Sequence, residues 1–328
     1  SNSISTIPPE IERLQSLTHL SLQDNPLSAL PVELSRLRRM KKLELSPDHL
    51  SFPPRCISVL GTRKIVEFLR RADVAWSSQV LDLSGLDLEE LPVDIVGLFP
   101  RLQELYINMN RIDSIPLEFH LLTTLVEIRL DSDIIRSPSM EIWSFGIQTT
   151  LEFMKRVSSC AETCELSLKK WNLTAMPGEV FLTQHASLLT KLNVSENNFK
   201  VIPDEISSLS ALTELYMDSN LLESLPASLF RLSELRIASF SMNRIHAIAD
   251  KFHKLSSLER LSLDCNELDS IPASLCRLTC LSELSLSSNR LSSELDGLAN
   301  ISSLKRLYLM DNLIERLPLS FSNFTRLQ

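Results

Sequence analysis

One eleven-residue pattern recurs along this chain at a fixed spacing. It reads Leu-x-x-Leu-x-Leu-x-x-Asn-x-Leu, and its clearest copies begin at Leu212, Leu258 and Leu304. The last six copies start at residues 189, 212, 235, 258, 281 and 304, a period of 23 residues. A unit this short cannot bury its own apolar side chains, so each copy must stack on its neighbours. The period therefore predicts an elongated stack of coils, a solenoid, rather than a compact globule.

Earlier copies of the pattern are less regular but keep the same frame. After a partial copy at residues 2–8, the first positions are Leu17, Met40, Ser78, Leu102, Leu125, Thr163, Leu189, Leu212, Leu235, Leu258, Leu281 and Leu304. This is the signature of leucine-rich repeats. It predicts an α/β solenoid of horseshoe shape, with residues 1–328 forming a single domain of about 13 repeats. Because neither end carries a polar capping repeat, we expect the chain to be a fragment of a longer protein.

Each repeat contains three segments with different expected roles. The Leu-x-Leu segment alternates in hydrophobicity, which predicts one short parallel strand per 23-residue coil. The Ile-Pro or Leu-Pro steps, such as Leu30-Pro31 and Ile202-Pro203, predict short helices or 3₁₀ segments on the convex side. Between them, an Asn is expected to turn the chain inward and to bond backbone groups of the adjacent coil. The asparagines in this ladder are Asn25, Asn110, Asn197, Asn220, Asn243, Asn266, Asn289 and Asn312.

Two inserts, near residues 52–77 and 137–161, break the period. They lengthen the spacing between first positions to 38 residues, and they match each other at a constant offset of 85, for example Gly61 with Gly146. Both carry apolar residues at helical spacing, which predicts helices at 56–71 and 141–157, on the convex side or an edge. The repeats after the inserts have Leu86 and Trp171 in place of the Asn, and we expect Trp171 to lie in the core.

Composition argues against several classes of function. The formal net charge of −8 disfavours non-specific nucleic-acid binding, and no apolar run reaches the roughly 18 residues of a membrane span. The six glycines form no phosphate-binding loop, and the histidines and cysteines show no metal-ligand spacing. No serine lies in a nucleophile elbow. We therefore expect no catalysis, cofactor or metal within these residues.

The cysteines and the Asn-x-Ser/Thr glycosylation sequences indicate the cellular compartment of the protein. The six cysteines do not form the end clusters that close secreted repeat proteins, which favours free thiols in a reducing compartment, cytoplasmic or nuclear. The Asn-x-Ser/Thr sequences at Asn172, Asn193, Asn300 and Asn323 leave open a secreted recognition ectodomain.

The third, fifth and seventh positions of each repeat are expected to point out of the concave sheet. All three tyrosines of the chain, Tyr106, Tyr216 and Tyr308, stand in the fifth column, where rigid exposed rings favour partner binding. Acidic residues cluster around them and would attract a basic segment. The remaining candidate partner-binding residues are Glu104, Glu127, Arg129, Asp131, Glu165, Glu214 and Asp218. A solvated face that only aids solubility is the alternative.

A basic run near the N-terminus has two interpretations. Arg36, Arg38, Arg39, Lys41 and Lys42, with four further cations in the first insert, could meet an acidic lipid or protein surface. A solvated convex face is the interpretation that we favour. Trp76 and Trp143 flank the predicted insert helices, where packing is favoured over ligand stacking.

The residue pattern within the repeats resembles that of a known group of proteins. Residues 7–17 and 202–212, Ile-Pro-x-Glu-Ile-x-x-Leu-x-x-Leu, resemble the intracellular, Ras-group type of leucine-rich repeat, which includes Roco GTPases. The insert sequence Gly61-Thr62-x-x-Ile65-x-x-Phe68-Leu69 is similar to a helix that ends repeat blocks in this group, and the second insert departs from it at Ile147 and Thr150. The resemblance implies a scaffold without its own chemistry, whose partner is a protein, with a basic segment or a small GTPase as candidates.

The primary prediction is a non-catalytic scaffold that binds a protein on its concave face. Two alternatives stay open: a regulatory repeat domain of a larger Roco-type GTPase or kinase, and the secreted ectodomain. The sequence does not fix the oligomeric state.

Overall fold

The structure, a computed structural model, describes residues 2–181, 186–292 and 295–328. The chain divides into two compact units, 1–158 and 159–328, and each is described by itself. The single domain spanning 1–328 stays a prediction.

The predicted strands are confirmed, one for each of the twelve first positions. Each has three residues and begins two positions after the first residue of its repeat. The strands are β1 (His19–Ser21), β2 (Lys42–Glu44), β3 (Val80–Asp82), β4 (Glu104–Tyr106), β5 (Glu127–Arg129), β6 (Glu165–Ser167), β7 (Lys191–Asn193), β8 (Glu214–Tyr216), β10 (Ile237–Ser239), β12 (Arg260–Ser262), β13 (Glu283–Ser285) and β14 (Arg306–Tyr308). Two-residue strands β9 (Ser224–Leu225) and β11 (Ala247–Ile248) pair separately.

All strand pairing is parallel and in register from coil to coil. The first unit contains two sheets, β1-β2 and β3-β4-β5. The second contains a seven-stranded sheet in the order β6-β7-β8-β10-β12-β13-β14. The central residue of each strand points into the core: Leu215, Ala238 and Leu261 are aligned with one another and at most 1% exposed. These stacked apolar residues form the core that a single repeat cannot build.

The return segments follow the proline steps as predicted. Most are 3₁₀ helices, and in segments such as Val32–Arg36 and Asp204–Ser208 the proline immediately precedes the first helical residue. The 3₁₀ segments of the described residues are Pro9–Arg13, Val32–Arg36, Pro47–His49, Leu117–Leu121, Gly178–Phe181, Asp204–Ser208, Leu229–Arg231, Phe252–Lys254, Leu275–Arg277, Asp296–Asn300 and Leu319–Asn323.

Asparagine side chains link successive coils through backbone groups. Asn243 Nδ2 donates to the carbonyl oxygens of Met217 in the preceding coil and Phe240 in its own, both at 3.0 Å, and its Oδ1 accepts from Leu222 N–H at 3.0 Å. Most of these side chains are buried, whereas Asn312 in the last complete coil is half-buried. Links of this kind, with Oδ1 accepting from a backbone N–H of the preceding coil, are made by Asn25, Asn110, Asn197, Asn220, Asn243, Asn266, Asn289 and Asn312.

The inserts are helical, as predicted, but their helices end later. The helices are α1 (Arg55–Ser58), α2 (Thr62–Ser78), α3 (Asp94–Leu98), α4 (Met140–Ser144) and α5 (Ile147–Thr163), of which α3 is a return segment. The predicted ends at 71 and 157 are wrong by seven and six residues. The last turns of α2 bury only small side chains, Ala72 and Ala75, which do not form an obvious apolar face in the sequence.

The two inserts repeat each other in backbone as well as in sequence. The helices α2 and α5 start and end 85 residues apart. Gly61 and Gly146, which come directly before them, both have positive φ angles, +89° and +90°. Such a backbone is accessible to glycine at little cost, which explains why both inserts use it. The shared geometry supports a duplicated block of about 85 residues.

The first insert helix lies against a convex return segment, as expected, but it also contacts the sheet. Within the first unit, α2 packs against the return segment Val32–Arg36 and also against strands β2 and β3. These two strands do not pair with each other, so the sheet is interrupted there. The helix buries Ile65, Phe68 and Leu69 completely. Burial of this apolar face against neighbouring coils stabilises the helix in this position.

Polar side chains of α2 replace the strand hydrogen bonds that this interruption removes. Thr62 Oγ1 accepts from Leu43 N–H on β2 at 2.8 Å. On the other side, Arg71 Nη1 donates to the carbonyl oxygens of Asp82 and Ser84, at 3.1 and 2.8 Å. In an uninterrupted sheet, carbonyls at these repeat positions accept backbone N–H groups of the preceding coil, as Ser239 does from Met217.

The tryptophans are less buried than expected. Trp76 lies within α2, half exposed, and its ring centre is 5.5 Å from that of Phe52 and 5.9 Å from that of Phe99, which is a packing contact. Trp171 is only half-buried, so its expected core position is wrong. Its backbone N–H donates to Asn197 while its ring remains partly in solvent, whereas Leu86 at the equivalent position is 1% exposed.

Candidate protein-binding face

The first candidate group surrounds Tyr106 in the first unit. The Tyr106 hydroxyl donates to the carboxylate of Glu104, two residues earlier on β4. On the neighbouring strand, the Arg129 guanidinium lies 4.3 Å from the centre of the tyrosine ring and donates to Glu127 at 2.7 Å. The hydrogen bond to Glu104 raises the pKa of the Tyr106 hydroxyl. The cation over the ring face is a favourable arrangement that also holds the ring in place.

Tyr216 in the second unit repeats this arrangement. Its hydroxyl donates to Glu214 at 3.0 Å, and Lys191 on the adjacent strand lies 5.9 Å from the ring centre and 3.3 Å from Glu214. Burial, followed by the hydrogen bond to Glu214, raises the pKa of the Tyr216 hydroxyl. In both units, therefore, a tyrosine is held between a carboxylate of its own strand and a cation of a neighbouring strand, the following strand for Tyr106 and the preceding strand for Tyr216.

Tyr308 lies on the same sheet as Tyr216, four strands away. The strand register aligns Tyr216, Ser239, Ser262, Ser285 and Tyr308 in one row across the sheet. At about 4.8 Å per strand, the two tyrosines are roughly 19 Å apart. The Tyr308 side chain is exposed, at 40%. The row therefore has a large ring at each end and three small side chains between them.

Asp218 is bonded within the sheet. Its Oδ1 accepts from Ser239 Oγ at 2.5 Å and from the backbone N–H of Ser241 at 2.8 Å. Asp264, two coils later, makes the same pair of bonds to Ser285 and Ser287. The sequence interpretation missed Asp264, although an Asp at the seventh position followed one coil later by Ser at the fifth and seventh positions marks both sites.

The other acidic candidates do not form one group. Asp131 lies near Asn110 in the first unit, with Oδ2 3.4 Å from the backbone nitrogen of Asn110. Glu165 is exposed on β6, the edge strand of the second unit's sheet. The structure brings Glu104, Glu127 and Arg129 together around Tyr106, and Glu165 belongs to the second unit.

Ion pairs engage two of the five residues of the basic N-terminal run. Arg36 contacts Glu12 at 2.6 Å and Asp73 at 3.3 Å, and Lys42 contacts Glu44 at 2.5 Å. The solvated convex face that we favour for this run stays a prediction.

Thiol and metal chemistry receive no support from the described residues. No cluster of three potential metal ligands occurs among them. Burial raises the pKa of the Cys56 and Cys160 thiols to about 11, so both are protonated and weakly nucleophilic at neutral pH. No helix in the described part of the chain is long and apolar enough to cross a membrane.

Comparison with known proteins agrees with the repeat architecture. The family model for the leucine rich repeat matches residues 164–222 and 231–291. A probable serine/threonine-protein kinase of Dictyostelium discoideum, roco9, is 39% identical over 82 residues, which is 24% of this chain and 2% of the kinase. The matched residues have the strands and return segments of leucine-rich repeats, and part of the chain resembles a Roco protein. The narrower resemblance of residues 176–197 to leucine-rich repeat-containing protein 40 stays a prediction.

Several solved structures share the repeat architecture. A leucine-rich repeat protein of Leptospira interrogans is 22% identical, with 99% of this chain and 80% of that chain covered and a TM-score of 0.40. An internalin of Listeria monocytogenes is 17% identical, with 100% and 70% covered and a TM-score of 0.43. The plant peptide hormone receptor RGFR1, in complex with RGF2, is 25% identical, with 98% and 44% covered and a TM-score of 0.43. At these TM-scores, nothing about partners is carried over to this chain.

Proposed function

We propose that this chain is a non-catalytic interaction module that binds a protein partner along the exposed face of the second unit's sheet. The observation that carries the proposal is the row from Tyr216 to Tyr308, with Ser239, Ser262 and Ser285 between them. Leucine-rich repeats are interaction domains as a class, which is consistent with this role.

The dimensions of the row suit an extended peptide segment. Small serines leave room above the sheet, whereas each tyrosine offers a large, rigid ring that costs little side-chain entropy on binding. The span of roughly 19 Å corresponds to about six residues of extended chain at 3.3 Å per residue. A segment of that length would contact both rings at once.

Hydrogen bonds within the sheet hold the serine side chains of this row in place. Ser239 and Ser285 donate to Asp218 and Asp264, and Ser262 donates to Asp264 at 3.0 Å. A partner therefore meets an ordered surface and does not have to immobilise it, which favours affinity. The two aspartates lie on the same side of the row, so they complement a basic side chain of the bound segment.

The Tyr106 group offers a comparable surface on the first unit. Glu104 and Glu127 lie beside the ring and outnumber the single cation Arg129. We propose the same role for it, the capture of a basic segment.

A second candidate function is a regulatory repeat domain within a larger Roco-type kinase or GTPase. The 39% identity to roco9 over 82 residues favours it. Such a domain would bind partners through the same faces, and we propose a cytoplasmic or nuclear location for either function.

Selection from a library of random peptides tests the proposed face without a known partner. The full chain is immobilised, and binders are counter-selected against a Tyr216→Ala/Tyr308→Ala variant. We expect enriched peptides to carry two large apolar anchors about five residues apart, with Lys or Arg between them. Peptides that bind the double variant as well as the wild type would place the binding site elsewhere.

A further inference from the structure

A basic groove lies among the return segments of the second unit, away from its strands. It has a volume of about 430 Å³, and its lining includes Asp204, Ser228, Arg231, Lys251 and Lys254. These residues come from, or directly precede, the 3₁₀ segments Asp204–Ser208, Leu229–Arg231 and Phe252–Lys254. Three successive coils therefore contribute to one groove.

Ser228 has a buried hydroxyl that lacks a hydrogen-bond partner. Its side chain is 8% exposed, and no described residue lies within bonding distance of its Oγ. Ser274, at the equivalent position two coils later, is fully engaged: its Oγ accepts from Phe252 N–H at 2.9 Å, and its own N–H donates to Asp250 at 2.6 Å. A buried polar group without a partner is costly, so the Ser228 site favours a ligand that supplies one.

The charges of the groove are unbalanced. Among the described residues, no carboxylate lies within ion-pair distance of Arg231, Lys251 or Lys254. Some cations of the unit are paired, as Arg236 is with Glu259, whereas the three groove cations lie together on successive coils. With Asp204 as the single acidic residue of the lining, three positive charges and one negative charge leave a formal charge of +2.

We propose that this groove binds a phosphate monoester. Such a group carries a charge of about −1.5 to −2 at neutral pH and three strong acceptor oxygens. Arg231 offers a planar fork of donors, the two lysines offer mobile point charges, and the Ser228 hydroxyl can turn to donate. The equivalent groove around Ser274 lacks both lysines, because Gly297 and Asn300 occupy those positions. The shared chemistry covers a soluble phosphate and a phosphate headgroup of a lipid.

Calorimetric titration of the full chain with inorganic phosphate, against sodium chloride of equal ionic strength, tests the site. We expect saturable binding that Lys251→Gln/Lys254→Gln weakens roughly tenfold, since charge-assisted bonds are the strong ones. Arg277→Gln is the matched control, because Arg277 is equivalent to Arg231 at the engaged Ser274 site, and it should leave phosphate affinity unchanged. Absence of saturable binding, or equal affinity in the double lysine variant, would overturn the proposal.

Ser228→Ala separates ligand recognition from folding. Removing an unpartnered hydroxyl should leave the melting temperature unchanged or raise it, while phosphate binding weakens. Unaltered phosphate affinity in this variant would show that Ser228 does not contribute to phosphate binding.

Sedimentation with vesicles then distinguishes the sources of the phosphate. Binding to phosphatidylcholine vesicles that contain phosphatidic acid, lost in the double lysine variant, would identify a lipid headgroup. Binding of inorganic phosphate without binding to these vesicles would identify a soluble monoester.

Discussion

The Arg71 side chain lies 2.8 Å from the carbonyl oxygen of Ser84, where an uninterrupted sheet would supply a backbone N–H from the preceding coil. The same guanidinium bonds Glu67 on its own helix at 2.6 Å and the Asp82 carbonyl oxygen at 3.1 Å. One side chain thus satisfies the open edge of β3 and ties α2 to it. This explains how a helix can enter a strand stack without leaving buried backbone groups unpaired.

Removal of the Arg71 guanidinium should therefore destabilise the first unit. We expect Arg71→Met to lower the free energy of unfolding by about 1–3 kcal/mol, because it leaves two backbone carbonyls without their donor. Urea denaturation followed by circular dichroism measures the change. Arg70→Met is the matched control, since Arg70 is mainly exposed and contacts only Glu67. Equal denaturation midpoints for the two variants would contradict the conclusion that Arg71 satisfies the open edge of β3.

The asparagine links make a similar prediction in the second unit. Asn220 Nδ2 donates to the carbonyl oxygens of Val194 and Met217, and its Oδ1 accepts from Phe199 N–H. We expect Asn220→Leu to cost about 1–3 kcal/mol in denaturation experiments, through buried backbone groups left unpaired. Asn198→Leu is the control, because that side chain is bonded only at the surface, to Asn172. A denaturation midpoint equal to that of the wild type for Asn220→Leu would count against the hydrogen-bonded asparagine ladder.

The sequence predicted the strands, the return segments and the existence of the insert helices, because each leaves a local periodic pattern. It did not predict that α2 also contacts strands β2 and β3. The spacing of Ile65, Phe68 and Leu69 indicates a buried face but does not say against which coil the face packs. The function of Arg71 as an edge cap depends on contacts between coils, which no local pattern encodes.

The sequence also predicted only part of the candidate binding face. Strand alternation identified Tyr216 and Tyr308 as outward residues of one column. The bonding of Asp218 to Ser239 and Ser241 was missed, because it joins residues 21 and 23 positions apart whose side chains meet only in the folded sheet.

Ionisation of Tyr216 should report its contact with Glu214. In a Tyr106→Phe/Tyr308→Phe background, Tyr216 is the only tyrosine and can be titrated by absorbance at alkaline pH. Because its pKa is raised in the folded protein, we expect it to ionise above the ordinary value of about 10, and Glu214→Gln should lower that pKa. The stabilisation linked to this shift is present below the unfolded pKa and is lost as the pH rises through the folded pKa. Ionisation at or below the ordinary pKa would contradict the contact.

Cysteine reactivity should follow burial. Burial keeps the Cys160 pKa near 11, whereas Cys265 and Cys280 are exposed. We therefore expect iodoacetamide at neutral pH to modify Cys265 and Cys280 well before Cys160, as measured by peptide mass spectrometry over time. Modification of all three at one rate would contradict the folded environment of Cys160.

The central claim, that the second unit binds a peptide segment between Tyr216 and Tyr308, is tested most directly by calorimetry with a library-selected peptide. We expect Tyr216→Ala to weaken binding by about 2 kcal/mol or more, about thirtyfold in Kd, with a nearly unchanged melting temperature. Val201→Ala, an exposed apolar change outside the strands, should leave the affinity at the wild-type value. Wild-type affinity in the Tyr216→Ala/Tyr308→Ala protein would contradict the proposed face.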